Sequence, residues 1–316
     1  MQIKTAGDVR RLQRDDDDYP AQLRAVPSAP DALYVRGTLV PDDALAVAIV
    51  GARAATAYGL GVAEDFAGAL AARGVTVVSG LARGIDSAAH RGALAAGGRT
   101  IAVLGSGLDR IYPPENRRLA AQVEEQGAVL SQFAPGMPAF SHHFPLRNLV
   151  IAGLALAVVV VEAAEKSGAL ITARLAGELG REVMAVPGRV TSPASRGAHA
   201  LIRDGAALVE RWEDVVAALP ARWRACVRVT TPDRTTGGVP LGEGGAIDEQ
   251  AADEAIVLGA VADEPITMDE VIERSGLGSG RAAALVLALE LDGRIRQIEG
   301  RRFVQVAASG TTRGED

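Results

Sequence analysis

Between residues 44 and 219, short apolar runs alternate with helical stretches, and this alternation leaves few possible architectures. Runs such as Ala46–Val50 and Leu156–Val161 are continuously apolar, which is typical of strands covered by helices on both faces. The strands predicted in this region are Ala46–Val50, Val75–Ser79, Thr100–Leu104, Ala128–Ser131, Leu156–Val161 and Glu182–Val186. The helices predicted between them are Ala57–Arg73, Asp86–Ala96, Glu115–Gln126 and Ala169–Leu179. We therefore predict an α/β fold, with a Rossmann-like, doubly wound and mostly parallel sheet built from right-handed βαβ units.

The segments on either side of this region have a different character. Residues 1–43 are predicted to be an N-terminal extension and lead-in segment, punctuated by prolines. Residues 220–245 are rich in Thr, Pro and Gly and are predicted to be a linker. Residues 246–306 contain three helical patterns followed by two short strands around Glu299-Gly300, which predicts a small C-terminal winged-helix domain. Residues 307–316 are expected to be a disordered tail.

Composition and charge exclude several classes of protein. The single cysteine, Cys226, rules out a disulfide framework and a cysteine-cluster metal site. The most apolar run, Ile151–Val161, is much shorter than the roughly 20 residues of a membrane span, so we expect a cytoplasmic protein. The net charge of −6 argues against a nucleic-acid partner. However, residues 45–214 carry 16 Arg or Lys against 15 Asp or Glu, whereas residues 246–306 carry 6 against 12. The acidity therefore lies largely in the tail, which leaves room for a basic groove in the core.

Four of the predicted strands end in loops rich in glycine and small polar residues. Because the carboxyl ends of parallel strands meet at one edge of a sheet, these loops should lie side by side. Helix N-termini that follow such loops offer free N–H groups and a partial positive charge to phosphate. The loops are Gly51–Gly59, Ser79–Gly84, Gly105–Asp109 and Glu162–Gly168. Any one of them is as well explained by an ordinary strand-to-helix turn, but four on one edge favour a phosphate-binding rim.

The kind of phosphate ligand follows from motifs that are missing and cations that are present. The first loop is not G-x-G-x-x-G and the chain has no G-x-x-x-x-G-K-[ST], which disfavours a dinucleotide and a magnesium-bound triphosphate. Arginines recur in or beside the rim segments, and arginine binds phosphate through a bidentate fork. These cations are Arg53, Arg83, Arg147, Arg174 and Arg189, together with Lys166, one of only two lysines. A row of cations suits a polynucleotide strand.

Several polar residues are candidates for catalysis, without forming a catalytic set. Asp86 and His90 share a helix face by their spacing of four, and a helix-capping Asp86 with a hydrogen-bonded His90 is favoured over acid–base chemistry. His142-His143 has no third ligand at metal spacing. Glu162 is either a base or an orienting carboxylate. We therefore expect no catalytic residues, no metal and no cofactor.

Taken in order, these motifs resemble those of the DNA-processing protein A family, also called DprA or Smf, from Tyr19 to about Glu210. The matching motifs are Tyr19-Pro20, Gly80–Asp86 with Ala89-His90, Gly107–Asp109 with Tyr112-Pro113 and Asn116, Phe144-Pro145 with Arg147-Asn148, Ile151–Leu154, Val161–Ala163, Ser167–Ala173 and Ala185–Gly188. The resemblance implies a Rossmann-like domain that binds single-stranded DNA, forms a homodimer and helps to load RecA recombinase in natural transformation, without catalysis. The implied DNA- and phosphate-binding residues are Gly51, Arg53, Arg83, Gly105, Ser106, Gly107, Phe144, Arg147, Asn148, Lys166, Ser167, Gly168, Thr172 and Arg189.

The chain departs from the family pattern at several positions. Ala52 replaces a usual serine and Leu149 a usual arginine, so the predicted cradle is less polar and less basic. Gln132 stands where an acidic residue is common and His199 where asparagine is. In the tail, the helix from Ser279 to Leu291 carries only Arg281 as a cation, which favours protein contact or packing over DNA reading.

Two alternatives to a single-strand binder stay open. One is a nucleotide-processing enzyme of the Lonely-guy type, which shares a related layout, although its P-G-G-x-G-T loop is missing here. The other is a regulatory scaffold that meets its partners through the acidic tail.

Overall fold

A computed structural model describes residues 9–228, 256–261, 266–275, 282–283, 285–286, 289–290, 294–298 and 302–305. The chain forms two compact units, Met1–Asp233 and Arg234–Asp316. Among the described residues, none of the helices is long and apolar enough to cross a membrane.

The first unit is built on a nine-stranded sheet. Its strands are β1 (Arg10–Gln13), β2 (Ala32–Gly37), β3 (Ala46–Val50), β4 (Thr76–Ser79), β5 (Thr100–Leu104), β6 (Ala128–Ser131), β7 (Ala157–Val160), β8 (Glu182–Ala185) and β9 (Ala207–Leu208). The spatial order is β1-β2-β6-β5-β4-β3-β7-β8-β9. Strands β3 to β9 are mutually parallel, whereas β1 and β2 add an antiparallel hairpin-like pair beside β6. The predicted doubly wound and mostly parallel sheet is confirmed.

Helices cover both faces of this sheet. They are α1 (Ala21–Arg24), α2 (Ala57–Ala72), α3 (Ile85–Ala95), α4 (Arg117–Gln126), α5 (His143–Leu154), α6 (Gly168–Glu178), α7 (Arg196–Arg203), α8 (Trp212–Ala218) and α9 (Ala221–Arg224). Short 3-10 helices span Pro41–Ala44, Pro114–Asn116 and Pro193–Ser195.

Strand β3 shows why these strands read as continuous apolar runs. All five of its residues are buried. Val47 and Ile49 pack into a core with Phe66 and Leu70 of α2. Ala46, Ala48 and Val50 pack into a second core on the opposite face, with α5 and α6. Because successive side chains point to opposite faces of a strand, burial of both faces requires every position to be apolar.

The strand order reverses beside β3. This strand pairs with β4 on one side and with β7 on the other, in the registers Val47↔Val77 and Ala48↔Val158. The chain therefore leaves β3 and β7 toward opposite faces of the sheet, which opens a crevice at their carboxyl ends. In doubly wound folds this is the position where ligands bind.

The first unit includes more of the chain than the predicted boundaries 44 and 219. On the N-terminal side, β1 and β2 belong to the sheet, and Tyr19, Leu23 and Leu33 are buried in its core. On the C-terminal side, Trp223 of α9 and Val227 pack against the α2 core, and the Arg228 N–H donates to the Arg73 carbonyl at 3.0 Å.

Five helices of the first unit, α1, α5, α7, α8 and α9, have no counterpart among the sequence predictions, and of these α5 lies at the crevice. Helix α5 ends at Leu154, inside the apolar run that began at Ile151, and Ala155-Leu156 separates it from β7. Its last five residues are all buried, so the run shows no amphipathic period that would mark a helix. This helix places Phe144, Arg147 and Asn148 at the crevice.

The second unit is a small α/β module. It contains β10 (Ile266–Thr267), α10 (Met268–Ser275), β11 (Ile295–Ile298) and β12 (Arg302–Gln305), and its sheet order is β10-β12-β11. Residues 256–261, 282–283, 285–286 and 289–290 are helical. Its core includes Val257, Ile266, Leu285, Leu289 and Phe303. The predicted pair of closing strands is confirmed and β10 adds a third. Most of the predicted linker, the start of the helix at Ser279 and the tail 307–316 lie outside the described residues.

Candidate nucleic-acid interface

The crevice beside β3 opens into a groove of about 640 Å³. We call it the main groove. Its walls come from the loop after β3, the loop after β7 and the N-terminal parts of α5 and α6. The lining residues include Gly51, Ala52, Arg53, Asp86, Phe144, Pro145, Arg147, Asn148, Lys166, Ser167, Gly168 and Thr172. The structure therefore brings together nine of the predicted site residues in one place: Gly51, Arg53, Phe144, Arg147, Asn148, Lys166, Ser167, Gly168 and Thr172.

Gly51 lets the first loop pass close to its neighbours. A Cβ at this position would lie 2.6 Å from the Ile85 side chain and 2.9 Å from the Glu162 carbonyl oxygen. Only glycine fits without moving α3 or the loop after β7, because contacts this short are not tolerated. The glycine fixes the path that presents Arg53.

Glu162 fastens the loop after β3 to the loop after β7. Its carboxylate accepts hydrogen bonds from the Thr56 N–H at 2.9 Å and from the Thr56 hydroxyl at 2.6 Å. Glu162 is buried, and the Thr56 oxygen in turn accepts from the Gly59 N–H, which caps α2. Of the two roles left open for this carboxylate, the geometry supports the orienting one.

Two exposed cations flank the main groove. Arg53 and Lys166 are both exposed, and neither forms an ion pair within the described part of the chain. The Arg53 guanidinium carbon lies 5.1 Å from the centroid of the Phe144 ring, within the range of a cation–π contact. The mouth of the groove thus combines exposed positive charge with an aromatic ring.

Arg147 is a buried member of the site. Its Nη1 donates to the Val103 carbonyl at 2.7 Å and also to the Gly80 carbonyl, and its Nε donates to Asn148 Oδ1 at 3.1 Å. It therefore joins the ends of β4 and β5 to α5. The structure places Arg147 on the floor of the groove, with part of its donor capacity used inside the protein.

Asp86 lies beside Arg147 on the same floor. Its carboxylate accepts from the Ala82 N–H at 3.3 Å, so it braces the loop after β4 and does not cap its own helix. Burial raises the pKa of Asp86, and the nearby Arg147 charge opposes that rise. The hydrogen bond predicted for His90 is present, but its partner is the Thr100 hydroxyl, at 2.7 Å from Nδ1.

The N-terminus of α6 forms another wall. The Ser167 side chain accepts from the Ala169 N–H at 3.3 Å, which confirms the predicted cap. A Cβ at Gly168 would meet nothing within 4 Å, so the start of this helix faces open space. Asn148 Nδ2 donates to the Gly168 carbonyl at 3.4 Å.

The loop after β5 is only partly at the site. Ser106 is buried and its hydroxyl donates to the Arg110 carbonyl at 2.7 Å. The Gly107 N–H donates to the Met137 carbonyl at 2.8 Å, and a Cβ at Gly107 would lie 2.5 Å from the Ala134 carbonyl oxygen. The chain between β6 and α5 therefore covers this loop, and neither Ser106 nor Gly107 lines the groove.

The remaining predicted cations lie apart. Arg174 and Arg189 are exposed and line neither the main groove nor the smaller cleft beside it, and the Arg174 Nε lies 3.5 Å from the Glu178 carboxylate. Arg83 and Gly105 line a smaller second cleft, which shares Arg53, Phe144 and Arg147 with the main groove.

Two residues near the site were not singled out from the sequence. Tyr112 lines the second cleft, and Glu115 forms an ion pair with Arg83. Tyr112 appears in the sequence only as part of the Tyr112-Pro113 motif. Neither a lone tyrosine nor a surface glutamate carries a signal that would have marked it.

Two further positions named in the sequence analysis are His143 and Leu149. The His143 Nδ1–H donates a hydrogen bond to the Gly105 carbonyl at 3.1 Å, and the His143 ring stacks on Phe133. No cluster of His, Cys, Asp and Glu within the described ranges could hold a metal ion. Leu149 packs against the core. At this position, where the family pattern has an arginine, the side chain therefore contributes apolar packing and no charge.

Comparison with known proteins places the chain in a family. Residues 10–220 match the family model of the DNA recombination-mediator protein A, and residues 243–301 match that of the DprA winged helix domain. Protein Smf of Escherichia coli is 41% identical over 295 residues, covering 92% of this chain and 75% of the relative. The DNA processing protein DprA of Streptococcus pneumoniae is 45% identical over 202 residues, covering 64% and 71%.

Solved structures agree with this assignment. The crystal structure of DprA from Streptococcus pneumoniae superposes with a TM-score of 0.64 at 42% identity, covering 68% of this chain and 76% of that one. A DNA processing protein A from Helicobacter pylori, described for its single-stranded DNA binding mode, superposes with a TM-score of 0.60 at 28% identity, covering 66% and 93%. The small module that follows the nine-stranded sheet is thus the predicted winged-helix domain, and the chain belongs to the DNA recombination-mediator protein A family.

Proposed function

We propose that this protein binds single-stranded DNA in the main groove and acts in recombination without catalysing a reaction. The observation that carries the proposal is that two exposed cations without an ion-pair partner among the described residues, Arg53 and Lys166, share one groove with the Phe144 ring. Proteins that bind single strands combine cations that follow the phosphates with aromatic rings on which bases stack.

The balance of charge within the groove supports a chain of phosphates at its mouth. On the floor, the carboxylate of Asp86 offsets the charge of Arg147, and each influences the pKa of the other. Arg53 also interacts with the Asp86 charge, but neither Arg53 nor Lys166 forms an ion pair among the described residues, so both remain available to a phosphate backbone. A strand bound there would have bases directed toward Phe144 and phosphates toward the two cations.

The family supports the same reading. The Helicobacter pylori relative is described for its single-stranded DNA binding mode, and its superposition covers 66% of this chain. We extend that ligand to this chain because the groove contains the residues that the binding would need.

The carboxylates of the site support a binder over an enzyme. Glu162 is engaged by both donors of Thr56, and Asp86 braces the loop after β4. Both are therefore occupied by structural hydrogen bonds, whereas a nucleotide hydrolase of the Lonely-guy type requires a carboxylate free to act on its substrate.

The partners follow from the family. A recombination mediator hands its strand to a recombinase, and we propose that RecA is that recombinase, that the protein works in the cytoplasm as a homodimer, and that it protects incoming DNA during natural transformation. Light scattering of the purified chain tests the dimer. A strand-exchange assay in which coated single strands are offered to RecA tests the loading.

The primary test is fluorescence anisotropy with labelled oligo-dT and with the matching duplex. A separate incubation with AMP tests for release of the base. We expect binding to the single strand that weakens steeply with salt and weaker binding to the duplex. Adenine should not appear on incubation with AMP. Release of free adenine, or equal affinity for single strand and duplex, would refute the proposal.

A further inference from the structure

The second cleft lies directly beside the main groove. Arg53, Phe144 and Arg147 line both, and the second cleft continues over Gly80, Arg83, Tyr112 and Pro113. A chain molecule that leaves the main groove over Phe144 therefore enters this cleft next. Ala82 also lines both, so the two clefts are contiguous at these shared residues.

The second cleft repeats the chemistry of the first. Tyr112 is 45% exposed, and its ring centroid lies 6.0 Å from that of Phe144 at an interplanar angle of 50°. Arg83 is exposed at the same cleft. An aromatic ring and a cation thus recur one step beyond Phe144 and Arg53, as a further base and a further phosphate would require.

Arg83 differs from Arg53 in having a partner. Its Nε donates to the Glu115 carboxylate, and the two side chains retain 61% and 49% of their exposure. Arg83 holds the pKa of Glu115 below its ordinary value. Because the pair is solvent-exposed, it is weak and can exchange partners at little cost.

Hydrogen bonds of the neighbouring Asn116 hold Glu115 and Arg83 close together. Asn116 donates to the Leu81 carbonyl at 2.8 Å and to the Ser87 hydroxyl at 2.9 Å. These bonds fasten the 3-10 turn that carries Glu115 to the loop that carries Arg83. Glu115 is therefore held beside Arg83, and its carboxylate accepts from the Arg83 guanidinium.

We propose that the second cleft is a further subsite for single-stranded DNA, in which Tyr112 stacks a base and a phosphate displaces Glu115 from Arg83. The proposal rests on the proposed function of the main groove. Glu115 acts as a built-in competitor: it fills the subsite when strands are absent or too short to reach it. Long strands gain the subsite and short ones do not.

The test is a length series of labelled oligo-dT measured by anisotropy with the full-length chain. Glu115→Gln removes the competing charge without changing shape. It should tighten binding by about two- to fivefold, only for strands longer than a threshold length. Glu64→Gln is the matched control, because Glu64 pairs with Arg91 in an equally exposed ion pair that lines neither cleft. It should change nothing.

Tyr112→Ala should weaken binding of strands above the same threshold by at least about fivefold, while Tyr112→Phe keeps wild-type affinity. Equal thermal midpoints across the variants show that folding is intact. The subsite is refuted if Glu115→Gln binds strands of every length as the wild type does, or if Tyr112→Ala keeps full affinity for long strands. Weaker binding by Arg53→Ala in the same experiment would show that the main groove still binds the strand. If the wild type binds no single strand at all, the main groove and the subsite are refuted together.

Discussion

The guanidinium of Arg53 lies over the face of the Phe144 ring, with 5.1 Å between its central carbon and the ring centroid. Arg53 comes from the loop after β3 and Phe144 from the start of α5. The contact spans the point where the strand order reverses, so it joins two separate parts of the chain into one surface.

Phe144 should contribute stacking and not charge. Replacing it with alanine should weaken binding of oligo-dT by about fivefold or more and leave the dependence on salt unchanged, because no cation is lost. Phe144→Tyr, which keeps the ring, is the control. Anisotropy at several salt concentrations checks both values, and a reduced salt slope in Phe144→Ala would show that the ring acts by positioning Arg53 instead.

The bond between Glu162 and Thr56 should stabilise the fold. In Glu162→Ala the Thr56 N–H and hydroxyl lose the buried carboxylate that accepts their hydrogen bonds, which should lower the free energy of unfolding by about 1–3 kcal/mol, as measured by urea denaturation. The matched control is Glu165→Ala in the same loop, since Glu165 is exposed and its ion pair with Arg196 is loose, at 3.8 Å. Equal losses in the two variants would contradict a bracing role for Glu162.

His90 should make stability depend on pH. Burial, aided by the charges of Arg147 and Arg91, lowers the pKa of His90 to about 3, so the folded protein keeps this imidazole neutral. The unfolded chain binds a proton near pH 6.5. Stability should therefore fall as the pH drops from about 6.5 toward 3, by up to about 1.4 kcal/mol per pH unit.

The comparison that isolates this effect uses two glutamine variants. His90→Gln should lose the His90 part of the slope between pH 6 and 4, whereas His142→Gln should retain it, because His142 is exposed. Urea denaturation at each pH supplies the free energies of unfolding. Identical slopes in the wild type and His90→Gln would mean that the imidazole is protonated in the folded state.

The first unit should end near Arg228 and not near Leu219. Trp223 and Val227 pack against the core and Arg228 bonds to Arg73, so a chain cut after residue 219 exposes apolar surface that a chain cut after residue 228 covers. Both should bind single strands, and the longer one should have the higher thermal midpoint. If the chain cut after residue 228 folds but does not bind single strands, the DNA site lies at least in part in the second unit.

The sheet could be predicted because its strands are buried on both faces. Ala46–Val50 must be apolar at every position for that reason, and such runs separated by helical stretches admit few other folds. Helix α5 was not predicted for the same reason. The residues of its C-terminal half are buried, so they show no helical period of apolar and polar residues. The strands β1 and β2 were missed because they lie among prolines and charges at the antiparallel edge of the sheet.

The site was predictable where chemistry and topology coincide. Gly51, Arg53 and Lys166 follow strands that flank the reversal in strand order, so general rules for parallel sheets place them together. Ser106 also follows a strand of the parallel sheet, but the chain between β6 and α5 covers its loop, and Ser106 is buried away from the groove. That segment is distant in sequence, and no local pattern reveals that it folds over the loop.

The most direct test of the account is the salt dependence of oligo-dT binding by Arg53→Ala, Lys166→Ala and the control Arg174→Ala. Arg174 is an exposed arginine of the same domain that lines neither cleft. Each groove variant should bind more weakly and lose about 0.7 from the slope of log K against log salt for each phosphate contact removed, while Arg174→Ala follows the wild type. Wild-type affinity and slope in both groove variants would contradict the claim that this groove holds a single strand.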